Sequence, residues 1–123
     1  MVELTDEQLE AATARGRELF ETEPHARTVR HDIRSGMTIV ELYNGCTFAF
    51  PPRRLQGLEH ATDAQLSEVE VNGRGYGLHW EALDADYTVG GLMAGRFGTP
   101  AFMERERARL RAILESESRH HAA

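Results

Sequence analysis

The chain has 123 residues and a formal net charge of −6, with 41% hydrophobic and 28% charged residues. This length suffices for one domain with a hydrophobic core and is short for two, and the composition excludes a globally disordered chain. The negative charge argues against binding of nucleic acid through the overall charge of the protein, and it is compatible with a basic protein partner.

The basic residues and the single cysteine bear on the cellular setting. All 14 basic residues are arginine, which indicates a GC-rich genome, with Arg-specific recognition as the alternative. Cys46 has no second cysteine to pair with, and its neighbours suggest a small core residue. The sequence contains no recognisable signal peptide and no apolar run of membrane-spanning length. We therefore expect a soluble cytoplasmic protein.

The first predicted element is a helix. The motif Thr5-Asp6-Glu7-Gln8 has the form of a capping box, and Leu4 and Leu9 are placed to make a hydrophobic staple. The helix is predicted to begin near Asp6 and to end before Pro24. Its apolar stripe is sparse and needs a docking surface, so residues 1–24 are expected to pack as a helix on the main domain.

An edge strand and a hairpin follow. The Arg-rich run from Ala26 to Asp32 predicts the edge strand, and alternating residues on both sides of Asn44-Gly45 predict two strands around a two-residue type I′ turn. That loop length assigns the strand residues to two faces. One face carries Ile39, Glu41, Tyr43, Cys46, Phe48 and Phe50, and the other carries Thr38, Val40, Leu42, Thr47 and Ala49. Both faces are partly apolar, so a neighbour is expected to cover each, with the first helix a candidate.

The segment after Pro51-Pro52 carries two adjacent cations, Arg53 and Arg54. Either these arginines bind a phosphate or carboxylate group, or they belong to a solvated loop. Thr62-Asp63-Ala64-Gln65 is a second capping box and predicts a short helix. A strand over residues 68–71 and the turn dipeptide Asn72-Gly73 then predict a second hairpin.

Residues 73–95 are the most informative stretch of the sequence. Tyr76, Leu78 and Trp80 alternate with Gly77 and His79, which predicts a strand with a buried aromatic face. Because glycine has no side chain, Gly77 is expected to let another backbone or side chain approach closely. Two short acidic side chains follow, Asp84 and Asp86, and both are expected to cap turns.

Two helices are predicted after this strand. Thr88 is the expected N-cap of a short helix and Gly95 its left-handed end, whereas Thr99-Pro100 begins a helix that runs to about Ser116. Ion pairs are predicted along this last helix, between Glu104 and Arg107, Glu106 and Arg109, and Arg111 and Glu115. Its partial apolar stripe consists of Met103, Leu110, Ile113 and Leu114. The stripe indicates either a contact with a partner or second copy, or a solvated helix.

Three ordered motifs resemble one known bacterial family. They are N-G-C-T-F-A-F-P, then L-Q-G-L-E-H-A-T-D-A-Q-L-S-E-V-E-V, then G-Y-G-L-H-W-E-A-L-D-A-D-Y-T-V-G-G-L-M-A-G-R-F-G-T. Together they resemble the domain of unknown function DUF2442, from about Ala26 to Thr99. The resemblance implies a compact α+β fold with a small antiparallel sheet.

The family also suggests partners. The resemblance implies that relatives often lie beside a small protein of the DUF4160 type and are discussed as toxin–antitoxin pairs, while some carry a helix-turn-helix domain. Gly90 stands where many relatives have proline, which should loosen the short helix. Residues 104–123 lack the basic tail of many close relatives, which disfavours a tail-based contact with nucleic acid. The predicted organisation is a helix over 1–24, a DUF2442-like α+β domain over 25–99, and a helix and tail over 100–123.

Two functional classes remain open. The first is a non-catalytic binding or regulatory module, antitoxin-like, that acts on a small protein partner or assembles through its terminal helices. The second is a metal-dependent or acid–base enzyme centred on His79, Asp84 and Asp86, whose side chains are suited to ligation and proton transfer but follow no established motif. The sequence predicts no cofactor, and its candidate binding residues are Arg53, Arg54, His79, Trp80, Asp84 and Asp86.

Overall fold

The computed structural model describes residues 5–121, and its first element is α1, Asp6–Thr22. The predicted capping box is confirmed, because the Gln8 backbone N–H donates to Thr5 Oγ1 at 3.1 Å and the Thr5 N–H donates to Gln8 Oε1 at 2.9 Å. Leu4 of the predicted staple lies outside the described residues. The side chains of residues 5–15 are all exposed, and Leu9 is 56% exposed.

A three-stranded antiparallel sheet follows, in the order β1-β2-β3. The strands are β1, Ala26–Asp32, β2, Met37–Leu42, and β3, Thr47–Phe50. The predicted edge position of β1 is confirmed. Gly36, with φ of +73°, makes the β1–β2 turn.

The predicted register of the β2–β3 hairpin is wrong by one residue. Val40 pairs with Phe48 and Thr38 pairs with Phe50, so both phenylalanines share the inner face with the buried Val40. The loop has three residues rather than two, because the Leu42 N–H donates to the Cys46 carbonyl at 2.8 Å and Gly45 adopts φ of +89°.

The outer face of the hairpin carries the exposed residues Glu41, Thr47 and Ala49 beside the half-buried Ile39. The expectation that another element covers this face stays a prediction. One other expectation is corrected. Cys46 is exposed at the end of the loop and is not the small core residue that was expected.

Short helical turns connect the first sheet to the second. A 3₁₀ turn spans Pro52–Arg54, and α2, Asp63–Leu66, begins with the predicted capping box, formed by Thr62 and Gln65. The second sheet has the order β4-β5-β6, and its strands are β4, Val69–Asn72, β5, Gly77–Trp80, and β6, Ala85–Thr88.

The β4–β5 hairpin has a four-residue loop, since Asn72 pairs with Gly77. Tyr76 therefore lies in the loop and is 49% exposed, which corrects the prediction that it belongs to a buried aromatic face. The other two members of that face, Leu78 and Trp80, are fully buried as predicted. Gly77 admits the Asn72 side chain, whose Oδ1 occupies the place where a Cβ would lie.

The inner faces of the two sheets and the connecting turns form one core. Trp80 lies at its centre, with its ring edge-on to Phe50 at 6.4 Å and to Tyr87 at 6.1 Å between centroids. The fully buried aliphatic side chains come from both sheets, the connecting turns and α3; they are Val40, Leu55, Leu58, Leu66, Leu78 and Val89. The α+β class expected from the sequence is confirmed.

The last two helices end the described chain. Thr88 caps α3, Val89–Met93, by accepting from the Gly91 N–H at 3.0 Å, and Gly95 follows the helix with φ of +80°, as predicted. The final helix, α4, spans Pro100–His121 and is longer than predicted. Among the helices within residues 5–121, none is long and apolar enough to cross a membrane.

Candidate functional site

The outer face of the second sheet brings a histidine together with acidic side chains. His79 on β5 lies opposite Glu70 on β4 and Asp86 on β6 in the strand register. Because directly opposed residues point to the same face of a sheet, these three side chains form one row. Glu81 follows β5 two residues after His79 and joins the row from the side. We call these four residues the His79 cluster.

The imidazole of His79 lies between two carboxylates. Its Nδ1 is 2.9 Å from Asp86 Oδ1, and its Nε2 is 2.7 Å from Glu81 Oε2. These hydrogen bonds, that to Glu81 first and that to Asp86 second, raise the pKa of His79 above its ordinary value because both carboxylates favour the charged imidazolium. The imidazole is thereby held in one orientation.

The exposure of the cluster differs between the imidazole and the acids. The His79 side chain is 18% exposed, whereas those of Glu81 and Asp86 are 78% and 65% exposed. Asn72 also reaches the cluster, since its Nδ2 donates to Asp86 Oδ1 at 3.4 Å. The cluster is therefore a surface feature with a partly buried imidazole at its centre.

Glu70, His79 and Glu81 are the residues of the described chain that could hold a metal ion together. Each offers one ligand atom, and these atoms lie within 4.8 Å of one another. The sequence reasoning missed Glu70 and Glu81. Pairing the alternation of residues 69–71 with that of 78–80 would have placed Glu70 beside His79.

Of the predicted acidic pair, the structure brings only Asp86 into contact with His79. Asp86 uses its carboxylate to bind the imidazole. Asp84 instead ends the 3₁₀ turn Glu81–Leu83 in a left-handed conformation, φ of +45° and ψ of +47°. Short polar residues tolerate this conformation better than most, so Asp84 has a clear backbone role. Trp80 points away from the cluster into the core.

Arg53 binds residues outside the His79 cluster. Arg53 donates through Nε to the Ala61 carbonyl at 2.9 Å and through Nη2 to Asp63 Oδ1 at 3.0 Å. His31, whose side chain is fully buried, contacts the same Asp63 oxygen through Nε2 at 3.1 Å. The hydrogen bonds from His31 and then Arg53 lower the pKa of Asp63. These hydrogen bonds of Arg53 stabilise the turn before α2. Arg54 is exposed.

A second candidate surface lies on α4. Phe102 is 8% exposed and fixes the first turn of the helix to the body, where the Thr99 N–H also donates to Gln56 Oε1 at 2.9 Å. Beyond this turn three large apolar side chains face solvent: Leu110, Ile113 and Leu114 are 50%, 41% and 64% exposed. We call these three residues the α4 stripe.

Charged side chains of α4 pair with one another. Arg107 contacts Glu104 at 2.7 Å and Arg109 contacts Glu106 at 3.2 Å, as predicted. Arg111 contacts Glu104 at 3.3 Å instead of the predicted partner Glu115. Because these pairs are solvent-exposed, each contributes little to stability. The α4 stripe is the exposed apolar surface of the helix.

The fold and these two surfaces define a small α+β protein with a histidine–carboxylate cluster and an exposed helix face. A family model described as a protein of unknown function, DUF2442, matches residues 26–98. The chain belongs to this family, as the resemblance in its motifs indicated.

Two solved structures resemble this chain. One is a crystal structure of a protein of unknown function from Rhodospirillum rubrum, with 61% identity, a TM-score of 0.65, and coverage of 67% of this chain and 99% of the other. The second is a solution NMR structure of an uncharacterised protein from Chromobacterium violaceum, with 31% identity, a TM-score of 0.64, and coverage of 85% and 96%. A search of curated proteins finds no match to this chain.

Proposed function

We propose that this protein is a non-catalytic binding module that acts on a small basic protein partner, in the manner of an antitoxin, in the cytoplasm. The observation that carries the proposal is the α4 stripe. Leu110, Ile113 and Leu114 have the i, i+3, i+4 spacing with which a helix packs on another surface. Side chains 110–120 are all exposed, so the stripe is available to a partner.

The net charge of the chain favours a basic partner over a second copy. At −6, two copies repel each other, whereas a positively charged protein is steered toward the chain. The α4 stripe then offers the short-range apolar contact, as in complexes where a helix lies in a groove. Association with such a partner is expected to slow as ionic strength rises.

The test is co-purification of the full chain, tagged at its amino terminus and expressed from its own locus, followed by mass spectrometry. The decisive variant is the triple substitution Leu110→Ser, Ile113→Ser and Leu114→Ser. Its matched control is Ala108→Ser with Ala112→Ser, which lies on the opposite face of α4 and carries a comparable cost in helix propensity.

The proposal expects one stoichiometric small basic protein that is retained by the wild type and the control and lost from the stripe variant. Equal retention by both variants would show that α4 is not the docking surface. Recovery of the protein alone, or of a homodimer by light scattering, would overturn the proposal of a basic partner.

The second candidate is an acid–base enzyme at His79. The observation that favours it is the His79–Asp86 hydrogen bond, because a carboxylate on Nδ1 orients an imidazole for proton transfer at Nε2. The backbone role of Asp84 in the turn argues against Asp84 as a third member of this enzyme site. An Asp86→Ala variant that folds normally and loses an activity shown by the wild type would support the enzyme, whereas an unchanged activity would count against it.

A further inference from the structure

We propose that Glu70, His79 and Glu81 form a binding site for a divalent transition-metal ion, with Zn²⁺ as the best fit, on the outer face of the second sheet. This inference is independent of the proposed partner, because the metal site rests on β4, β5 and the 3₁₀ turn after β5, whereas the docking surface rests on α4.

The proposed ligands lie on the β4–β5 hairpin and on the 3₁₀ turn that follows it. Glu70 and His79 are direct cross-strand neighbours in the β4–β5 pair. His79 and Glu81 are two residues apart, the spacing at which side chains of an extended chain point the same way. Ligand atoms of a tetrahedral Zn²⁺ lie about 3.4 Å apart, given bonds of about 2.0–2.1 Å. The three atoms here lie within 4.8 Å of one another, and His79 Nε2 is 2.7 Å from Glu81 Oε2, so small side-chain rotations adjust the atoms to the spacing of a metal site.

A carboxylate lies behind the imidazole of His79. Asp86 Oδ1 accepts from His79 Nδ1 at 2.9 Å, and Nε2, which is 2.7 Å from Glu81 Oε2, is the ligand atom once its proton has left. Metal-bound histidines are usually oriented by a carboxylate in this way. Asn72 supports Asp86 in turn, through its Nδ2 at 3.4 Å. Asp86 is therefore a positioning residue for the proposed site.

Negative charge is concentrated around His79. Glu70 and Glu81 bring two carboxylates to within 4.8 Å of each other, and Asp86 adds a third negative group on the far side of the imidazole. Like charges at this separation repel, and a divalent cation between them relieves the repulsion. When the metal binds, the proton on Nε2 leaves to solvent and the Nε2 lone pair forms the metal bond.

The ligand set selects the class of metal. One imidazole nitrogen with two carboxylate oxygens suits Zn²⁺ and its first-row neighbours, whereas Mg²⁺ and Ca²⁺ prefer all-oxygen sites. Glu81 is 78% exposed, so water has access to the remaining coordination position.

The experiment is calorimetric titration of the full chain, freed of metal with a chelator, with zinc chloride. His120 and His121 near the carboxyl end are a competing source of binding. A variant with His120→Ala and His121→Ala is therefore measured in parallel, and it is expected to retain one Zn²⁺ per chain.

Variants of the cluster identify the ligands. Glu70→Gln and Glu81→Gln keep side-chain size at exposed positions and are each expected to weaken Zn²⁺ binding at least tenfold. His79→Gln is expected to abolish it, and Asp86→Asn to weaken it about 10- to 100-fold. Asp84→Asn is the matched control and should bind as the wild type does. Circular dichroism checks that each variant folds.

Nitrogen-15 NMR of the imidazoles distinguishes a metal ligand from a residue that has only a structural role. Added Zn²⁺ should shift the His79 Nε2 resonance as a metal ligand while Nδ1 stays protonated. The proposal is overturned if Zn²⁺ fails to bind, if Glu70→Gln and Glu81→Gln bind it as tightly as Asp84→Asn, or if binding disappears with His120 and His121.

Discussion

Gly75 lies where the loop between β4 and β5 touches the start of β1, and replacing it with alanine tests how closely the two sheets are joined. Gly75 is buried and has φ of +89°. A Cβ at this position would overlap the carbonyl oxygen of Ala26, and it would lie 2.9 Å from the Ala26 nitrogen and 3.1 Å from the His25 Cβ. Backbone atoms of a paired strand cannot give way as the end of a flexible side chain can.

Two costs add at Gly75. The left-handed conformation costs an L-residue about 1–2 kcal/mol, and forcing an extra carbon into a packed site costs about 1–3 kcal/mol. We therefore expect Gly75→Ala to lower the free energy of unfolding by about 2–5 kcal/mol, a large part of the roughly 5–15 kcal/mol typical of a domain. Urea unfolding followed by circular dichroism measures this loss.

Gly45→Ala is the matched control, because Gly45 has the same φ of +89° but a Cβ added there would meet no atom within 4 Å. Gly45→Ala should lower the free energy of unfolding only by the cost of the left-handed conformation, about 1–2 kcal/mol. Equal losses in the two variants would refute the argument that the β4–β5 loop is in steric contact with β1.

Three further predictions concern stability. Trp80→Ala should lower the free energy of unfolding by about 3–5 kcal/mol in urea titrations, since it empties the centre of the core, whereas Ile33→Ala at a 63% exposed position should change it by less than about 0.5 kcal/mol. Thr62→Ala removes the N-cap of α2 and should cost about 1 kcal/mol in the same assay, with Thr62→Ser retaining most of the wild-type value. Asp63 has a lowered pKa in the folded state, so its hydrogen bonds with His31 and Arg53 stabilise the fold above about pH 4, the ordinary range of an aspartate, and this contribution is lost as pH falls through the lowered value. The stability difference between wild type and Asp63→Asn should therefore shrink below about pH 4, and a difference that stays constant from pH 7 to pH 2 would contradict this reasoning.

Features set by residues close in sequence could be predicted. Both capping boxes depend on contacts between positions three apart, and the Thr88 cap and the left-handed Gly95 also depend on neighbours within one short helix. The end of α4 was placed too early, at Ser116 instead of His121, because no glycine or proline marks its end. The family and the α+β class followed from ordered motifs.

Features that depend on loop conformation or on distant strands could not be predicted. Asn44-Gly45 is compatible with a two-residue turn or with a three-residue loop that ends in a left-handed glycine. The choice between them moves every side chain of β3 to the other face. The contact of His31 with Asp63 joins residues 32 positions apart, and no local pattern indicates it. At the candidate site, His79 and Asp86 were found by residue type, whereas Glu70 required the strand register.

The position of Cys46 has a practical consequence. It is the single cysteine of the sequence and it is exposed, so a maleimide or nitroxide reagent can attach at one defined point without a prior substitution. A spin label there reports distances between chains in any complex that contains two copies. It also provides an attachment point for a fluorophore in the β2–β3 loop of the first sheet.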